Sequence, residues 1–422
     1  MKTSLLKLDK NFTSKKIADC GVIKKDKMYY ATTFKEDSIL FDIYGNILKK
    51  IAGKIYHLND DLYGFCCTKT KYGFIDKKGN LITKVKYDGI NSFHDGLAGV
   101  ELNGKWGFID KQGNLAIEAK YDNILEFNES LAGVMFNGKW GFINKQGNLV
   151  IETKYDDIFN FNEGLAGVEL GEKYGFIDKK GNLAIEAKYD YVGKFSDGLA
   201  IVELDGKWGF IDKQGNLVIE TKYDYVGEFS DGLAIVKIIG KCGYGFIDEK
   251  GEIIINTEYD EISYHKEELV KVKLNGKWGF VDKKGNLVIK AKYDYVGEFS
   301  DGLAGVMLNG KYGFMDKKEN LVIEAKYVEV YSFNEGLADV RLGRKCGFID
   351  KQGNLAIEAK YDNALGFKDG LAEVKLGEKW GLINKNEEIV IEIEYDEILK
   401  LDTNLFLLKK GEELKLKNLN MI

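Results

Sequence analysis

The sequence predicts an all-β protein, a tandem repeat of about 34 residues with four short antiparallel strands per repeat. The first observation behind this is a glycine that follows Trp, Tyr or Cys ten times. It recurs at steps of 34 residues, broken once by a step of 36 between Gly209 and Gly245. A constant period of this size is typical of solenoids, propellers and other arrays. The second observation is that no window shows the 3.6-residue period of a helix over ten residues.

Residues 190–223 show the four strands of one copy. The segments DYVGKF, LAIVEL, KWGFID and LVIE are separated by the turns SDG, DGK and DKQGN, whose residues tolerate positive φ or close Asx turns. LAIV and WGFI suit strands covered on both faces, whereas LVIE returns to charge and suits an outer edge. The pattern predicts propeller-like blades, in a closed ring or in two lobes, or an open β superhelix.

The chain is predicted to have three parts. Residues 1–54 hold degenerate N-terminal repeats, residues 55–240 a first sub-array, and residues 241–422 a second sub-array that ends in a half repeat. The boundary near residue 240 rests on two extra residues in the segment IIGKCGYGFID and on a degenerate stretch from Ser263 to Val272. Two alternatives stay open. One is a continuous superhelix with a local kink, and the other is a ring in which the N-terminal partial unit and the C-terminal half unit complete each other.

The aromatic residue before the recurring glycine is interpreted as a structural anchor between repeats. The glycine has no side chain and so lets a neighbouring sheet approach closely. Burial of a tryptophan removes about 150–250 Å² from water, and we predict that Trp208→Ala opens a cavity that costs about 3–5 kcal/mol. The tryptophans at this position are Trp106, Trp140, Trp208, Trp278 and Trp380.

An aspartate ends the third apolar run of most repeats, just before the last turn. Its carboxylate is expected to accept hydrogen bonds from backbone N–H groups of the KQG or KKG segment that follows. We therefore interpret these aspartates as turn builders. They include Asp110, Asp178, Asp212, Asp282 and Asp350.

The best copies resemble the bacterial WG repeat family; two of them are NGKWGFIDKQGNLAIEAKYD from Asn103 and DGKWGFIDKQGNLVIETKYD from Asp205. The resemblance covers roughly residues 25–418. It implies a β-rich repeat array, usually without an assigned activity, and transfers no catalytic residue. Family members commonly carry proline between the glutamate and the lysine of the last strand. This chain has no proline and carries Ala, Thr or Ile there, so a less rigid turn is expected.

Composition and charge argue against several classes of function. With 45% hydrophobic residues, 30% charged residues and a formal net charge of −6, the chain is expected to be ordered and soluble. Lys alternates with Asp and Glu inside every repeat, so no basic surface for nucleic acid or membrane is expected. The N-terminal segment MKTSLLKLDKNFTSKK is too poor in apolar residues for a signal peptide or a membrane span, and a cytoplasmic location is predicted.

No cofactor or metal site is expected. The five cysteines are scattered, and Cys346 replaces the aromatic residue of other repeats, which indicates a small buried apolar side chain. None of the three histidines has a second metal-binding residue at zinc spacing. The cysteines are Cys20, Cys66, Cys67, Cys242 and Cys346.

The sequence also predicts that the protein is not an enzyme. It contains no phosphate-binding loop, no HExxH or CxxC motif and no GxSxG segment. Paired carboxylates such as Asp156 and Asp157 occur, but the first recurs in nearly every repeat as the aspartate of KYD. Catalysis normally needs one convergent set of residues, so we interpret the repeated aspartate as structural.

The functional hypothesis rests on a position that differs between copies. Tyr191, Tyr225 and Tyr295 follow KYD where the chain enters the first strand, at one rim of the array, and tyrosine is favoured at recognition surfaces. We predict a non-enzymatic scaffold that binds a protein or peptide partner there. The simpler alternative is that these tyrosines pack against adjacent repeats. Self-association of the array is a second function class, and an enzyme with carboxylates in a central channel is the least favoured.

Overall fold

A computed structural model of the chain contains strands and no helix among the residues that it describes. These are residues 3–5, 17–23, 28–33, 38–42, 47–51, 54–57, 62–68, 71–76, 80–238, 243–263, 269–411 and 413–419. Before residue 71, burial is described only for Tyr30, Ser38, Ile55, Gly64 and Cys66. The predicted all-β class is confirmed in this part of the chain.

The described strands form twelve sheets, which we number along the chain, and β1 (Thr3–Leu5) pairs in the last of them. Sheets 1 to 4 follow β1 in sequence. Their strands are β2 (Ile17–Ile23), β3 (Met28–Thr33), β4 (Ser38–Asp42) and β5 (Ile47–Ile51) in sheet 1; β6 (Lys54–His57), β7 (Leu62–Thr68) and β8 (Lys71–Asp76) in sheet 2; β9 (Gly89–His94), β10 (Leu97–Leu102), β11 (Lys105–Asp110) and β12 (Leu115–Tyr121) in sheet 3; β13 (Asn123–Ile124), β14 (Leu131–Phe136), β15 (Lys139–Asn144) and β16 (Leu149–Tyr155) in sheet 4.

Sheets 5 to 8 repeat the same pattern. Their strands are β17 (Leu165–Leu170), β18 (Lys173–Asp178) and β19 (Leu183–Tyr189) in sheet 5; β20 (Tyr191–Val192), β21 (Leu199–Leu204), β22 (Lys207–Asp212) and β23 (Leu217–Tyr223) in sheet 6; β24 (Tyr225–Val226), β25 (Leu233–Ile238), β26 (Gly243–Asp248) and β27 (Ile253–Tyr259) in sheet 7; β28 (Glu261–Ser263), β29 (Leu269–Leu274), β30 (Lys277–Asp282) and β31 (Leu287–Tyr293) in sheet 8.

Sheets 9 to 12 complete the described chain. Their strands are β32 (Tyr295–Ser300), β33 (Leu303–Leu308), β34 (Lys311–Asp316) and β35 (Leu321–Tyr327) in sheet 9; β36 (Glu329–Val330), β37 (Ala338–Leu342), β38 (Lys345–Ile349) and β39 (Leu355–Tyr361) in sheet 10; β40 (Asn363–Ala364), β41 (Leu371–Leu376), β42 (Lys379–Asn384) and β43 (Ile389–Tyr395) in sheet 11; β44 (Glu397–Asp402), β45 (Leu405–Lys410) and β46 (Glu413–Asn418) in sheet 12.

Sheets 1 to 11 are antiparallel meanders in sequence order, and most sheets have the predicted four strands. Sheet 5 has three strands, and the pair Ile158 and Val168 forms an isolated bridge where the other repeats place their first strand. Sheet 12 has the order β1-β46-β45-β44, with Thr3 opposite Lys417. The half repeat predicted at the C-terminal end is therefore completed to four strands by β1.

The chain divides into two compact units. The N-terminal unit holds Lys15–Val236 and Glu249–Gly251, and the C-terminal unit holds Met1–Ser14, Lys237–Asp248 and Glu252–Ile422. The sub-array boundaries proposed from the sequence, after residues 54 and 240, stay predictions. The irregular segments behind the second boundary lie partly outside the described residues, at 239–242 and 264–268.

The hydrophobic core lies between successive sheets. Between sheets 5 and 6, Phe176 and Tyr189 of sheet 5 pack on Val202 and Ile211 of sheet 6 and on Phe195, which follows β20. The Phe176 and Phe195 ring centroids are 4.8 Å apart. The same ring pair recurs along the array as Phe74–Phe93, Phe108–Phe127, Phe142–Phe161, Phe210–Phe229, Phe280–Phe299, Phe314–Phe333 and Phe348–Phe367.

In most repeats the more deeply buried side chain is this phenylalanine, two residues after the predicted anchor, and Leu382 takes its place in sheet 11. Of the five tryptophans, Trp140 is buried, with 6% of its surface exposed, and the other four are half-buried. Phe210, in the same strand as Trp208, is 1% exposed. Because part of the Trp208 ring already faces solvent, we expect a smaller cavity for Trp208→Ala than the sequence predicted, and its effect on stability stays a prediction.

The recurring glycine allows the next strand of its own sheet to approach closely. The prediction that it allows a neighbouring sheet to approach is therefore wrong. The pairs Trp106–Tyr121 and Phe108–Ile117 leave a bulge of β12 opposite Gly107. A Cβ at Gly107 would lie 2.5 Å from the Ile117 carbonyl oxygen and 2.6 Å from the Ala119 nitrogen. Ala119 occupies the position at which the family resemblance implies proline, and it lies in this bulge instead of a turn.

The aspartates predicted to build turns do so. Asp110 Oδ1 accepts hydrogen bonds from the backbone N–H groups of Gln112 and Asn114 at 2.9 and 2.8 Å, and its Oδ2 accepts one from the Asn114 side chain at 3.0 Å. Equivalent bonds surround Asp178, Asp212, Asp282 and Asp350. The oxygens of these carboxylates are therefore used for hydrogen bonds within the turn.

Candidate functional site

In the N-terminal unit, aromatic residues from two positions of the repeat form one line of rings. One position precedes the recurring glycine, and the other follows the KYD segment. Tyr174 of β18, Tyr191 of β20 and Trp208 of β22 follow each other at steps of 17 residues. The ring centroids of Tyr174 and Tyr191 are 6.2 Å apart, and those of Tyr191 and Trp208 are 5.5 Å apart. Phe159 extends the line, at 5.9 Å from Tyr174. We call Phe159, Tyr174, Tyr191 and Trp208 the aromatic row.

The strand register explains why the row forms. In sheet 6, Tyr191 lies opposite Glu203, and Glu203 lies opposite Trp208, so all three side chains point from the same face of the sheet. Tyr174 belongs to the preceding sheet and closes the gap between repeats. The 17-residue step, half of the 34-residue period, is the signal in the sequence that could have revealed the row.

The three tyrosines of the sequence hypothesis are all partly exposed. Tyr191, Tyr225 and Tyr295 keep 40%, 49% and 44% of their surface accessible. Tyr191 also contacts Tyr174 of the preceding sheet. It therefore packs against an adjacent repeat and still presents a large part of its ring to solvent.

Carboxylates without cationic partners accompany the aromatic row. Glu169 lies opposite Tyr174, and Glu203 lies opposite Trp208. The Tyr174 hydroxyl donates a hydrogen bond to Asp157 Oδ2 at 3.4 Å. Burial, followed by the charges of Glu169 and Asp157, raises the pKa of Tyr174 to about 12. Among the described residues no lysine or arginine forms an ion pair with Asp157, Glu169 or Glu203.

In the C-terminal unit, lysines occupy the corresponding ring faces. Lys271 Nζ lies 4.4 Å from the Trp278 ring centroid and 5.1 Å from that of Tyr295. Lys273, at the position that Glu203 occupies in sheet 6, lies 5.3 Å from the Trp278 ring and is also paired with Glu261 at 2.6 Å. Burial lowers the pKa of Lys271. Here the chain itself supplies the cations that the aromatic row lacks.

The repeated lysine and aspartate of the KWG and KYD segments bind each other. Lys173 Nζ donates to Asp190 Oδ1, and the backbone N–H of Asp205 donates to Asp190 Oδ2 at 2.7 Å. Asp190 thus links β18 of one sheet to the β21–β22 turn of the next. The same lysine pairing recurs as Lys71–Asp88, Lys105–Asp122, Lys139–Asp156, Lys207–Asp224, Lys277–Asp294, Lys345–Asp362 and Lys379–Asp396.

These bonds predict a loss of stability in acid. The hydrogen bond from Lys173 is the main cause that lowers the pKa of Asp190, and the pKa values of Asp122 and Asp294 are lowered in the same way. The folded state therefore binds fewer protons than the unfolded state near the usual aspartate pKa of about 3.9, and its stability falls as the pH drops through that value and below. Thermal unfolding followed by circular dichroism should show the melting temperature falling below about pH 4.

The acid effect has an internal check. Asp190→Asn removes one of the lowered groups and should make the pH dependence less steep. Asp339 and Glu373 shift in the opposite direction, because burial raises the pKa of each carboxyl, but the lowered groups are more numerous. A melting temperature that stays constant between about pH 6 and pH 3 would show that the repeated pairs do not favour the charged aspartates.

A second apolar line lies on the fourth strands. In sheets 3 to 11 the last strand begins with a leucine or isoleucine that keeps at least 39% of its surface exposed. Unlike the aromatic row it is present in nearly every repeat. We call these residues the leucine line: Leu115, Leu149, Leu183, Leu217, Ile253, Leu287, Leu321, Leu355 and Ile389.

The described part of the chain holds no cluster of metal-binding side chains, since no three His, Cys, Asp or Glu residues are grouped there to hold a metal ion. Cys66 and Cys346 are both buried, so Cys346 is the small buried side chain predicted from the sequence. The side chains of Cys20, Cys67 and Cys242 lie outside the described residues. No described segment forms a helix that could cross a bilayer.

Comparison with known proteins gives a family match along most of the chain. The family model described as WG containing repeat matches ten consecutive segments: 72–106, 106–140, 140–174, 174–208, 208–242, 244–278, 278–312, 312–346, 347–380 and 380–412. No curated protein matches the chain significantly.

The chain is also similar to several solved structures. One is a eukaryotic initiation factor, with 11% identity, 73% of this chain and 92% of that chain covered, and a TM-score of 0.41. Another is BamB from Moraxella catarrhalis, with 10% identity, 68% and 94% coverage, and a TM-score of 0.31. A third is the computationally designed protein Ika8, with 11% identity, 74% and 98% coverage, and a TM-score of 0.27. At these TM-scores none of the three carries an argument about this chain.

Proposed function

The chain belongs to the WG containing repeat family, and from this premise we propose that it is a non-enzymatic scaffold whose aromatic row binds a partner. The partner is a protein or peptide segment that carries lysine or arginine next to apolar residues. The repeat scaffold itself is established by the ten family matches. The binding role rests on the chemistry of the row.

The observation that carries the proposal is the coincidence of exposed rings and unpaired carboxylates. Tyr191 is 40% exposed between two further rings. Glu169 and Glu203 stand opposite the rings on the neighbouring strands. A lysine or arginine over such rings is attracted both by the ring face and by the carboxylates, with a cation–π contribution of about 0.5–2 kcal/mol. Apolar residues of the same segment would cover the remaining ring surface.

The chain itself contains an example of this contact. In sheet 8 the side chain of Lys271 lies over Trp278 and Tyr295. The equivalent strand position in sheet 6 is Ile201, and the position of Lys273 is taken by Glu203. A partner lysine bound at the aromatic row would fill the place that Lys271 and Lys273 fill in the C-terminal unit.

We also propose that the protein is not an enzyme, and the contacts of its repeated carboxylates support this. The recurring carboxylates are engaged in turns and in lysine pairs, as Asp178 and Asp190 illustrate. An activity would need a convergent set of groups that are free to react. A cytoplasmic location stays a prediction from the sequence.

Selection from a random peptide library tests the binding role. We expect 12-residue peptides selected on the full chain to be enriched in Lys and Arg next to aromatic or aliphatic residues. The affinity of a selected peptide should fall about tenfold or more in the Tyr191→Ala and Trp208→Ala variants, since aromatic residues at the centre of an interface commonly contribute this much. Binding should also weaken as salt is added.

Matched variants keep the test specific. Leu183→Ala and Leu217→Ala remove similarly exposed apolar side chains from the leucine line and should leave peptide affinity unchanged. Glu203→Lys should abolish binding through charge repulsion, without removing a ring. Selected peptides that are acidic, or that bind the ring variants as tightly as the original chain, would contradict the proposal.

A second candidate function is self-association through the leucine line. The favouring observation is that Leu149, Leu183 and Leu217 are exposed at the same position of successive edge strands, at 52%, 49% and 48%. A second copy of the chain would meet these residues as a regular apolar stripe. Sedimentation at increasing concentration should then show oligomers that are lost in the Leu183→Ala and Leu217→Ala variants and kept in Tyr191→Ala.

A further inference from the structure

A cavity of about 420 Å³ in the C-terminal unit lies apart from the aromatic row. It is bounded by Ser300 at the end of β32, by the segment 331–334 after β36, by Asp339 of β37, and by residues 363–366 at β40. Three consecutive repeats therefore contribute to it. Its size lies within the range of about 300–1,000 Å³ that is usual for small-ligand sites.

The cavity arises where the repeat pattern is broken. Asp339 stands at the position of Gly167, where a Cβ would lie 3.0 Å from a methyl group of Val192 in the next repeat. The residue at the position of Val192 is Ile or Val in other repeats, whereas here it is Ala364. Gly366 replaces a larger residue found in every other copy. These two small residues leave room for Asp339, whose Oδ1 lies 3.4 Å from a Cβ placed on Gly366.

Asp339 is a buried carboxylate without a cation. It is 4% exposed and lines the cavity. In the described part of the chain no side chain donates a hydrogen bond to it and no lysine or arginine pairs with it. Arg341, two residues along the strand, is bound to Glu329 with its Nε 2.8 Å from Glu329 Oε2. The Asp339 carboxylate is hydrogen-bonded to its own backbone N–H, but no cation balances its charge. Burying a carboxylate without a cation is costly, which favours a cationic partner from outside the chain.

The remaining polar groups of the cavity are also suited to a ligand. Asn128 and Asn162 donate their amides to the Phe161 and Phe195 carbonyl oxygens of the next repeat, at 2.9 and 2.7 Å. Asn334 occupies the same position and lines the cavity, with no such side-chain bond among the described residues. Ser300 Oγ donates to the Phe333 carbonyl oxygen at 2.5 Å, so its lone pairs stay available as acceptors. Tyr331, 55% exposed, adds a ring at the opening.

We propose that this cavity binds a small primary amine, with the ligand's ammonium group hydrogen-bonded to the Asp339 carboxylate. An ammonium group has three donors and one positive charge, which match the carboxylate, the hydroxyl oxygen of Ser300 and the amide oxygen of Asn334. The short body of the amine lies against Ala364 and the Tyr331 ring. This site is independent of the proposed aromatic row, which belongs to the N-terminal unit.

The charges around Asp339 give the site a defined pH dependence. Burial raises the pKa of Asp339 to about 6. The titratable and charged groups around it are Tyr331, Cys346 and the Glu329–Arg341 pair, whereas the cavity residues of sheet 11 are uncharged. An ammonium ion binds the ionised carboxylate, so affinity should be full above about pH 7 and should decrease as the pH falls through about 6.

The test uses n-butylammonium as the probe and n-butanol as its neutral counterpart, each titrated into the full chain by ligand-observed NMR. We expect n-butylammonium to bind and n-butanol to bind at least about tenfold more weakly, since hydrogen bonds between charged groups are worth about 10- to 100-fold in affinity. Asp339→Asn should weaken binding by a similar factor. Ala364→Val, which restores the larger residue of other repeats, should also remove binding by filling the cavity.

Two control variants test whether the probe binds at this cavity and not elsewhere. Glu373→Gln changes the equivalent carboxyl of the next repeat, which does not line the cavity, and should leave probe affinity unchanged. Tyr191→Ala should also leave it unchanged, which separates this site from the aromatic row. Absence of n-butylammonium binding, equal binding of n-butanol, or binding that persists in both Asp339→Asn and Ala364→Val would each overturn the proposal.

Discussion

Phe210→Ala is expected to lower the free energy of unfolding by about 3–5 kcal/mol, the usual cost of removing a fully buried phenylalanine. Phe210 is 1% exposed, and its ring centroid lies 4.8 Å from that of Phe229, which belongs to the next repeat. The substitution therefore removes contacts within one repeat and between two. Urea unfolding followed by circular dichroism measures the loss, and hydrogen exchange should place it in the repeats that contain Phe210 and Phe229.

Trp208→Ala is the matched comparison for this prediction. Trp208 lies in the same strand two residues earlier and is half-buried, with its ring 5.5 Å from that of Tyr191. We expect a loss of about 1–2 kcal/mol, because only part of its apolar surface is withdrawn from water. Equal losses for the two variants, or a larger one for Trp208→Ala, would contradict the assignment of the phenylalanine as the main anchor.

Gly209→Ala is expected to destabilise the protein by about 3 kcal/mol or more, at the upper end of the usual cost of overpacking. A Cβ at Gly209 would lie 2.5 Å from the Ile219 carbonyl oxygen and 2.8 Å from the Glu220 carbonyl carbon. Both are backbone atoms of the paired strand β23 and cannot rotate away as a side chain can. The bulge opposite the glycine must open, which breaks pairing at this edge of sheet 6.

Gly193→Ala is the control for the glycine prediction. A Cβ there would meet the Ile201 Cβ at 3.5 Å, an ordinary van der Waals contact, and the residue has no positive φ. We expect little change, or a gain of about 0.4–1 kcal/mol from the reduced freedom of the unfolded chain. If Gly209→Ala unfolds at the same urea concentration as Gly193→Ala, the close approach of β23 is not what fixes glycine at this position.

The repeat period and the turn chemistry made most of the fold predictable. Four strands per repeat follow from apolar runs divided by Gly, Asp and Asn, and the role of Asp110 follows from its place before a tight turn. Both are local properties, so neighbouring residues in the sequence suffice to recognise them. The contribution of β1 to sheet 12 was less accessible, because it joins residues more than 400 positions apart.

Features that depend on the strand register were harder to predict. The sequence shows that glycine follows an aromatic residue, but it does not show that Gly107 faces a bulge of its own sheet. To predict the aromatic row, one must know that Tyr191, Glu203 and Trp208 are cross-strand neighbours. The cavity at Asp339 is lined by residues of three repeats. The importance of the small Ala364 side chain can be recognised only once it is known that this side chain leaves room for Asp339.

Site-specific photo-crosslinking tests most directly the central claim that binding uses the aromatic row. Replacing Tyr191 by p-benzoylphenylalanine in the full chain, in the cells that produce it, should yield a crosslink to a partner segment that contains lysine or arginine beside apolar residues. The same photoreactive residue at Leu183, which is 49% exposed on the leucine line, should yield no such product. Crosslinks formed only at Leu183, or formed at Tyr191 only with further copies of this chain, would contradict the claim.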